Sequence, residues 1–185
     1  MISNVKVYGI DESFAASKYP MSVDTNKCTS EFTETIKRLG RCDLGTGHDN
    51  FLNGIVVQFD LTLSLKAWLE AERYHFFDFV SSQSTMHRIA NFDIESCCNE
   101  YVEQSGIDNL KKLIDRYKKT KDKEDYLRVL YNIPSGFELT ARMTTNYRQL
   151  KTMYHQRKKH RLPEWRQFCR WIEELPMFQE LCLED

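Results

Sequence analysis

Residues 146–157 read Asn-Tyr-Arg-Gln-Leu-Lys-Thr-Met-Tyr-His-Gln-Arg, and this segment decides how the C-terminal part of the chain folds. Asparagine is a favoured N-cap residue, so Asn146 predicts the start of a long helix that runs to about His160. Side chains of one face then recur at helical spacing, namely Leu150, Met153, Tyr154 and Arg157. Because the apolar stripe ends on this arginine, the pattern predicts that Arg157 faces the protein interior.

An inward-facing arginine needs a partner, because a guanidinium keeps its charge and a buried charge without a partner is costly. Two interpretations of Arg157 stay open from the sequence: an internal ion pair with a carboxylate, or a contact to an anionic ligand. The other basic residues of this region are expected on a solvated helix face, with a nucleic-acid groove as the alternative. They are Arg148, Lys151, His155, Lys158, Lys159 and Arg161.

Strands and helices are expected on both sides of this segment. Runs rich in β-branched residues predict strands around Val5–Ile10, over Gly54–Leu63 and over Phe137–Thr144. Capping residues and apolar spacing predict six further helices: Glu12–Tyr19 after an Asp11 cap, one from a Ser30 cap to Gly40, Leu65–Tyr74 after a Ser64 cap, Ile107–Lys119, Glu124–Tyr131, and one from Pro163 through Ile172.

A polar run follows the aromatic stretch at residues 75–80. It reads Ser81-Ser82-Gln83-Ser84-Thr85-Met86-His87-Arg88 and concentrates hydroxyl, amide, imidazole and guanidinium groups. Hydroxyl donors, backbone N–H groups and an arginine suit a phosphate monoester, which has several acceptor oxygens and nearly two negative charges. The run therefore favours anion recognition, and a serine-rich turn that only caps the next segment is the alternative.

Composition excludes several classes of protein. The chain has 185 residues, of which 41% are hydrophobic and 29% charged, as is typical of one soluble globular domain. Its 26 Lys and Arg nearly balance 27 Asp and Glu, so no global attraction to nucleic acid or membranes is expected. No apolar run has the length of a membrane span and no secretory signal is evident, so we expect a cytoplasmic protein without a membrane partner.

Familiar catalytic and metal-binding fingerprints are absent from the sequence. The six cysteines have neither the density nor the spacing of a disulfide framework or a zinc site, so reduced thiols and no metal are expected. The chain also lacks the glycine-rich dinucleotide motif, the phosphate-binding P-loop, His-Glu-x-x-His and Gly-x-Ser-x-Gly. No Ser/His pair has a context that marks a nucleophile.

Several spacings in the chain nevertheless resemble motifs of one enzyme family. The helix start Asn146-Tyr147-Arg148-Gln149-Leu150 has the pattern Asn-x-Arg-x-Leu, Arg157 stands eleven residues after Asn146, and Trp165 follows. His75 and Ser84 are nine residues apart, and the loop Gly47-His48-Asp49-Asn50-Phe51-Leu52-Asn53 precedes the predicted strand Ile55–Leu61. In this order, the motifs resemble those of the flavin-dependent thymidylate synthases.

The resemblance has departures at the family's flavin and phosphate motif, which is Arg-His-Arg, seven residues, then Ser-x-Arg. Here Tyr74 and Phe76 flank the histidine, and Met86 stands two residues after the serine. Arginines occur nearby, at Arg73 and Arg88. In the upstream loop, which resembles the family's His-x-x-x-Phe-Glu-His with one residue fewer, an asparagine replaces the second histidine.

The resemblance implies an α/β (α+β) fold with a mixed sheet flanked by helices. It implies a single domain over residues 1–185 with a helical insert at about residues 99–133, and a homotetramer whose sites form between subunits. The substrate would be a pyrimidine deoxynucleotide such as dUMP, with FAD as the cofactor and NADPH and methylene-tetrahydrofolate as co-substrates, so that an active protein would be a methyltransferase.

The resemblance also assigns roles to individual residues. Arg157 would be the catalytic residue, which contacts the uracil and stabilises negative charge developing on it. The phosphate would be held by Ser84, Gln83 and Arg88, and the flavin would be contacted by His75, Asn146, His48 and Asn53. Because the aromatic residues flanking His75 cannot neutralise a diphosphate, the alternative is a nucleotide-binding protein that has lost FAD and sequesters, senses or modifies a nucleotide.

Overall fold

The computed structural model describes residues 2–183, and its strands and helices are interspersed along the chain. The strands are β1 (Ile2–Tyr8), β2 (Val56–Ser64), β3 (Asp78–Ser82) and β4 (Glu138–Asn146). The helices are α1 (Ile10–Ser17), α2 (Glu34–Gly40), α3 (Leu65–Ala71), α4 (Thr85–Arg88), α5 (Gln104–Thr120), α6 (Lys123–Tyr131), α7 (Tyr147–Arg157), α8 (Pro163–Glu173) and α9 (Phe178–Cys182). None of the helices within residues 2–183 is long and apolar enough to cross a membrane.

The strands form one sheet in the order β1-β2-β4-β3. Beyond the end of β4, the Tyr147 N–H donates to the Ile55 carbonyl (3.0 Å), whereas at the opposite end the Leu65 N–H donates to the Phe137 carbonyl (2.9 Å). Strands β2 and β4 are therefore antiparallel, and so is the sheet as a whole. The expectation of a mixed sheet is corrected, because the neighbouring strands among the described residues run in opposite directions.

The strands differ in burial according to their place in the sheet. Strand β2 buries alternate residues, including Val57, Phe59 and Leu61, which confirms the strand predicted from its β-branched run. Every residue of β3 is exposed, as befits an edge strand. Ser81 and Ser82, expected in a loop, are part of this edge strand.

The chain divides into two compact units. The first unit comprises residues 61–73 and 79–142; the second comprises residues 2–60, 74–78 and 143–183 of the described part. The stretch predicted as a helical insert folds as α5 and α6 within the first unit. The single domain over residues 1–185 stays a prediction.

Each unit has its own apolar core. In the first unit, Leu110 of α5 and Val129 of α6 are fully buried and pack in one cluster with Ile89 and Phe137. In the second unit, Phe168 of α8 lies 6.1 Å from Phe59 of β2 between ring centroids.

Two expected helix starts are corrected. Helix α1 follows Gly9, whose φ of 78° is left-handed, so Asp11 lies in the first turn and is not the cap. Helix α2 is capped by Thr33 and not by Ser30, because the Thr33 hydroxyl accepts from the Ile36 N–H at 3.3 Å. Helix α9 carried no strong sequence signal and was not predicted.

Candidate functional site

Arg157, at the C-terminal end of α7, is a buried cation of the second unit, with 9% of its surface exposed. Its burial confirms the orientation predicted from the helical spacing. The Nε group donates to the hydroxyl oxygen of Tyr74 at 2.7 Å. The guanidinium carbon lies 4.8 Å from the ring centroid of Trp165 and 5.4 Å from that of Tyr74. Two aromatic faces and one hydroxyl thus fix the direction of the guanidinium.

Two other segments of the second unit bring Trp165 and Tyr74 to the guanidinium. Trp165 lies in the first turn of α8, which begins at Pro163, and it is fully buried. Tyr74 follows α3, and its hydroxyl also donates to the Gln156 side-chain oxygen at 3.0 Å. The two aromatic neighbours orient the guanidinium through ring contacts and one hydrogen bond. We call Arg157, Tyr74 and Trp165 the arginine clamp.

A second buried charge cluster lies on another face of α7. Lys151 is 2% exposed, and its ammonium group contacts Asp49 at 3.1 Å, the Gly40 carbonyl at 2.8 Å and the Cys42 carbonyl. Asp49 is itself 1% exposed and also accepts from Arg148 Nε at 2.9 Å. The expectation that Lys151 lies on a solvated face is therefore wrong, because a carboxylate and two carbonyls replace its water.

The Asp49 cluster fixes the loop that carries His48. His48 is exposed on this loop and lines a cavity of about 930 Å³ within the second unit, together with Lys18, Arg38 and Phe51. The cavity combines apolar walls with cationic side chains, and its volume is within the range of small-molecule sites. Asn53, predicted beside His48, is exposed in the 3-10 turn Asn50–Gly54 and is not part of this lining.

The other residues predicted at a flavin have different surroundings. His75 is exposed, and its ring lies 6.3 Å from that of Phe76, which is 60% exposed. The side-chain oxygen of Asn146 accepts from the Gln149 N–H at 2.9 Å. Asn146 is thus the N-cap of α7, as its position predicted.

The residues predicted to hold a phosphate lie in the first unit. Gln83 continues the β3–β4 pairing, because its N–H donates to the Thr140 carbonyl (3.0 Å) and its side-chain oxygen accepts from the Thr140 N–H (2.8 Å). Ser84 precedes α4, but its side chain makes no capping hydrogen bond to that helix. The alternative of a serine-rich turn that only caps the next segment is therefore not supported at Ser84. Arg88, one turn later, is exposed and lines a separate cavity with Lys118 and Lys121, to which Ser84 does not belong.

Two buried cysteines of the second unit, Cys169 and Cys182, are structural thiols. Burial raises the pKa of Cys169 to about 12, and Glu173 adds to the effect. Burial also raises the pKa of Cys182, which is 2% exposed. A thiolate is the nucleophilic form, so neither side chain is prepared for attack near neutral pH. All six cysteines are free.

Comparisons with known proteins identify the fold. No protein-family model matches the chain, and no curated protein matches it in sequence. Two solved structures of the flavin-dependent thymidylate synthase ThyX from Helicobacter pylori, with FAD and dUMP, are both 16% identical to the chain. One has a TM-score of 0.73 and covers 99% of both chains; the other has a TM-score of 0.76 and covers 100% of this chain and 98% of the other.

A third similar structure is a UMP/dUMP methylase, PolB from Streptomyces cacaoi, bound with 5-Br dUMP. Its TM-score is 0.62 at 13% identity, and the match covers 97% of this chain and 92% of the other. The chain therefore has the fold of the flavin-dependent thymidylate synthases. At these identities the similarity shows the fold alone.

Sequence reasoning missed two features of the site. The Asp49–Lys151 pair had only a weak signal, namely a lysine one position after Leu150 on a helix whose apolar face is wide. Tyr74 was noted only as a departure from the family's arginine, although its place beside the aromatic run was visible. Because its partner Arg157 is 83 residues away, only the fold shows the hydrogen bond.

Proposed function

We propose that the chain binds a pyrimidine mononucleotide of the dUMP type. The observation that carries this proposal is the arginine clamp, which holds a permanent cation in a buried and defined direction. A fixed cation in a site with little water recognises the electron-rich edge of a base more strongly than a mobile one. The solved structures of similar fold that contain dUMP or 5-Br dUMP support this ligand class.

The residues predicted to bind the substrate each have a role in this proposal. Arg157 contacts the uracil, and the phosphate-binding residues Ser84, Gln83 and Arg88 come from another copy of the chain in a homotetramer. A site shared between subunits is the arrangement that the sequence resemblance implies. Light scattering tests the assembly, and a strictly monomeric protein would remove the shared site.

The residues around His75 do not fit the diphosphate of FAD. Tyr74 stands before His75 and is bound to Arg157 and Gln156, while Phe76 after it offers a ring and no charge. A diphosphate needs N–H or cationic donors, which these two side chains do not supply. The proposed function is therefore nucleotide binding without a flavin step, for sequestering, sensing or modifying the nucleotide.

Flavin-dependent methylation is the second candidate function, and the His48 cavity favours it. The cavity contains Phe51 as an aromatic wall and Arg38 as a cation, and both would suit a flat cofactor with an anionic group. Purified protein with a flavin absorption spectrum that consumes NADPH in the presence of dUMP and methylene-tetrahydrofolate would establish this candidate. Protein that takes up no added FAD would exclude it.

Calorimetry with dUMP tests the main proposal. Arg157→Ala should weaken dUMP binding by about 2 kcal/mol or more, because charge-assisted hydrogen bonds to the base are lost. The control is Lys159→Ala, which removes an exposed positive charge two residues away and should change the affinity less than twofold. An Arg157→Ala protein that is folded and binds dUMP normally would show that the clamp is structural only.

The cellular setting is part of the proposal. We propose a cytoplasmic location, with which free thiols at all six cysteines agree. Nucleic acid is not the proposed partner, because Lys151 of the α7 face considered for it lies in the interior.

A further inference from the structure

A basic cavity of about 510 Å³ lies within the first unit, between the ends of α4, α5 and α6. Five of the side chains that line it carry a cationic or phenolic group, namely Arg88, Tyr117, Lys118, Lys121 and Tyr126. His87 lies at the same wall. Among the described residues that line the cavity, none is acidic. We call this feature the basic cavity.

The carboxylates near the basic cavity are engaged elsewhere. Asp125 is 4% exposed and accepts from Arg116 Nε and the Thr120 hydroxyl, both at 2.8 Å. Asp122 is the N-cap of α6, where its side chain accepts from the Glu124 N–H at 2.8 Å. The two carboxylates therefore stabilise the turn between α5 and α6. The side chains that line the cavity keep an excess of positive charge.

One wall of the basic cavity is aromatic. The rings of Tyr117 and Tyr126 lie 4.6 Å apart between centroids and are tilted by 39°. The Tyr126 hydroxyl donates to the Met86 carbonyl, which ties α6 to α4 and fixes this wall. A flat ring and fixed hydrogen bonds give a surface on which an aromatic ligand can pack.

Lys121 is placed at the cavity by an unusual backbone. Its φ of 55° is left-handed, a conformation that favours glycine, and its N–H closes α5 by donating to the Tyr117 carbonyl at 2.8 Å. The ammonium group lies 5.5 Å from the centroid of the Tyr117 ring. A cation thus stands directly beside the aromatic wall.

We infer that the basic cavity binds a small phosphate ester that carries an aromatic ring, as a mononucleotide does. Arg88, Lys118 and Lys121 would neutralise the phosphate, and the ring would pack against Tyr117. The volume is within the range of small-ligand sites. This site goes beyond the proposed function, with which it shares only Arg88, so the test leaves Arg88 unchanged.

Lysines within α5 and directly after its last residue allow a matched pair of variants. Their binding of AMP, adenosine and inorganic phosphate is measured by calorimetry. The cavity variant is Lys118→Gln with Lys121→Gly, where glycine accepts the left-handed backbone without strain. The control is Lys112→Gln with Lys119→Gln, which removes the same charge from α5 outside the cavity lining. Wild-type protein should bind AMP more tightly than adenosine or phosphate alone.

The cavity variant should weaken AMP binding at least tenfold, and the control variant should change it less than twofold. Equal losses in both variants would show a general charge effect and overturn the inference, as would AMP that binds no better than adenosine. If the cavity variant loses binding to a single-stranded oligoadenylate but keeps its affinity for AMP, the cavity is part of a nucleic-acid surface and the inference is overturned. The affinity for dUMP, measured in the same two variants, separates this inference from the proposed function. Loss of AMP binding with dUMP binding kept supports a site of its own, whereas loss of both would make the cavity part of the proposed dUMP site and overturn the inference.

Discussion

The Nε group of Arg157 donates a 2.7 Å hydrogen bond to the hydroxyl of Tyr74, across 83 residues of chain. Tyr74 stands immediately before His75, where the resembling family has an arginine. The position that would bring a cation to a flavin diphosphate therefore supports a different cation at the C-terminal end of α7. One departure from the family pattern thus favours the nucleotide site at the expense of the cofactor site.

Tyr74→Phe removes the hydroxyl of the arginine clamp and keeps its ring, so it measures the contribution of the hydroxyl alone. The change should lower the free energy of unfolding by about 1–2 kcal/mol, because the hydrogen bonds of the hydroxyl with Arg157 and Gln156 are lost while the ring packing is kept. Binding of dUMP should weaken several-fold, since the guanidinium loses one of its orienting partners. Urea unfolding and calorimetry measure the two effects. Tyr131→Phe, at a tyrosine that is 86% exposed, should change neither quantity.

Asp49→Asn tests the buried charge cluster that fixes the His48 loop. We expect a loss of about 3–5 kcal/mol in the free energy of unfolding, because the ammonium group of Lys151 stays buried without its carboxylate. Chemical denaturation measures the loss. Asp43→Asn, in the same loop but exposed, should cost less than about 0.5 kcal/mol. A similar small cost at Asp49 would contradict the role of the cluster.

Tyr154 should make stability depend on alkaline pH. Burial, and then the hydrogen bond that its hydroxyl donates to Glu173 at 2.6 Å, raise its pKa from 10.0 to about 12. A raised pKa in the folded state contributes stability that is complete below pH 10 and is lost as the pH rises through about 12. Urea midpoints between pH 8 and 11.5 should fall less steeply for Tyr154→Phe than for the native chain. Parallel curves would exclude Tyr154 as a source of the loss.

Cysteine alkylation should divide the thiols by burial. In native protein near pH 8, iodoacetamide should modify the half-exposed Cys28 and Cys42 well before Cys169 and Cys182, which are 3% and 2% exposed. The raised pKa of both buried thiols slows their reaction further. Peptide mass spectrometry measures the order, and all four should react in urea. Early modification of Cys169 would show that the α7–α8 core opens.

The sequence by itself determined the local structure around the site. Asn146 predicted the start of α7 because an N-cap depends only on neighbours two or three residues away. The apolar spacing predicted that Arg157 faces inward, and the alternation in residues 54–63 predicted β2. The ordered motifs also indicated the fold that the solved structures share. Each of these inferences rests on interactions within one turn or one strand, or on order along the chain.

Only the tertiary structure decided which distant groups meet. Lysine is a residue type that normally lies at the protein surface. Nothing within one helical turn of Lys151 shows that Asp49, 102 residues away, supplies its counter-charge. The separation of Ser84 from the cavity that Arg88 lines likewise depends on where α5 and α6 pack. Burial and ion pairing are properties of the packed chain, because they depend on water removed by remote segments. Apolar spacing predicted the inward direction of Arg157, whereas the packed fold decided that Lys151 is buried and what both side chains contact.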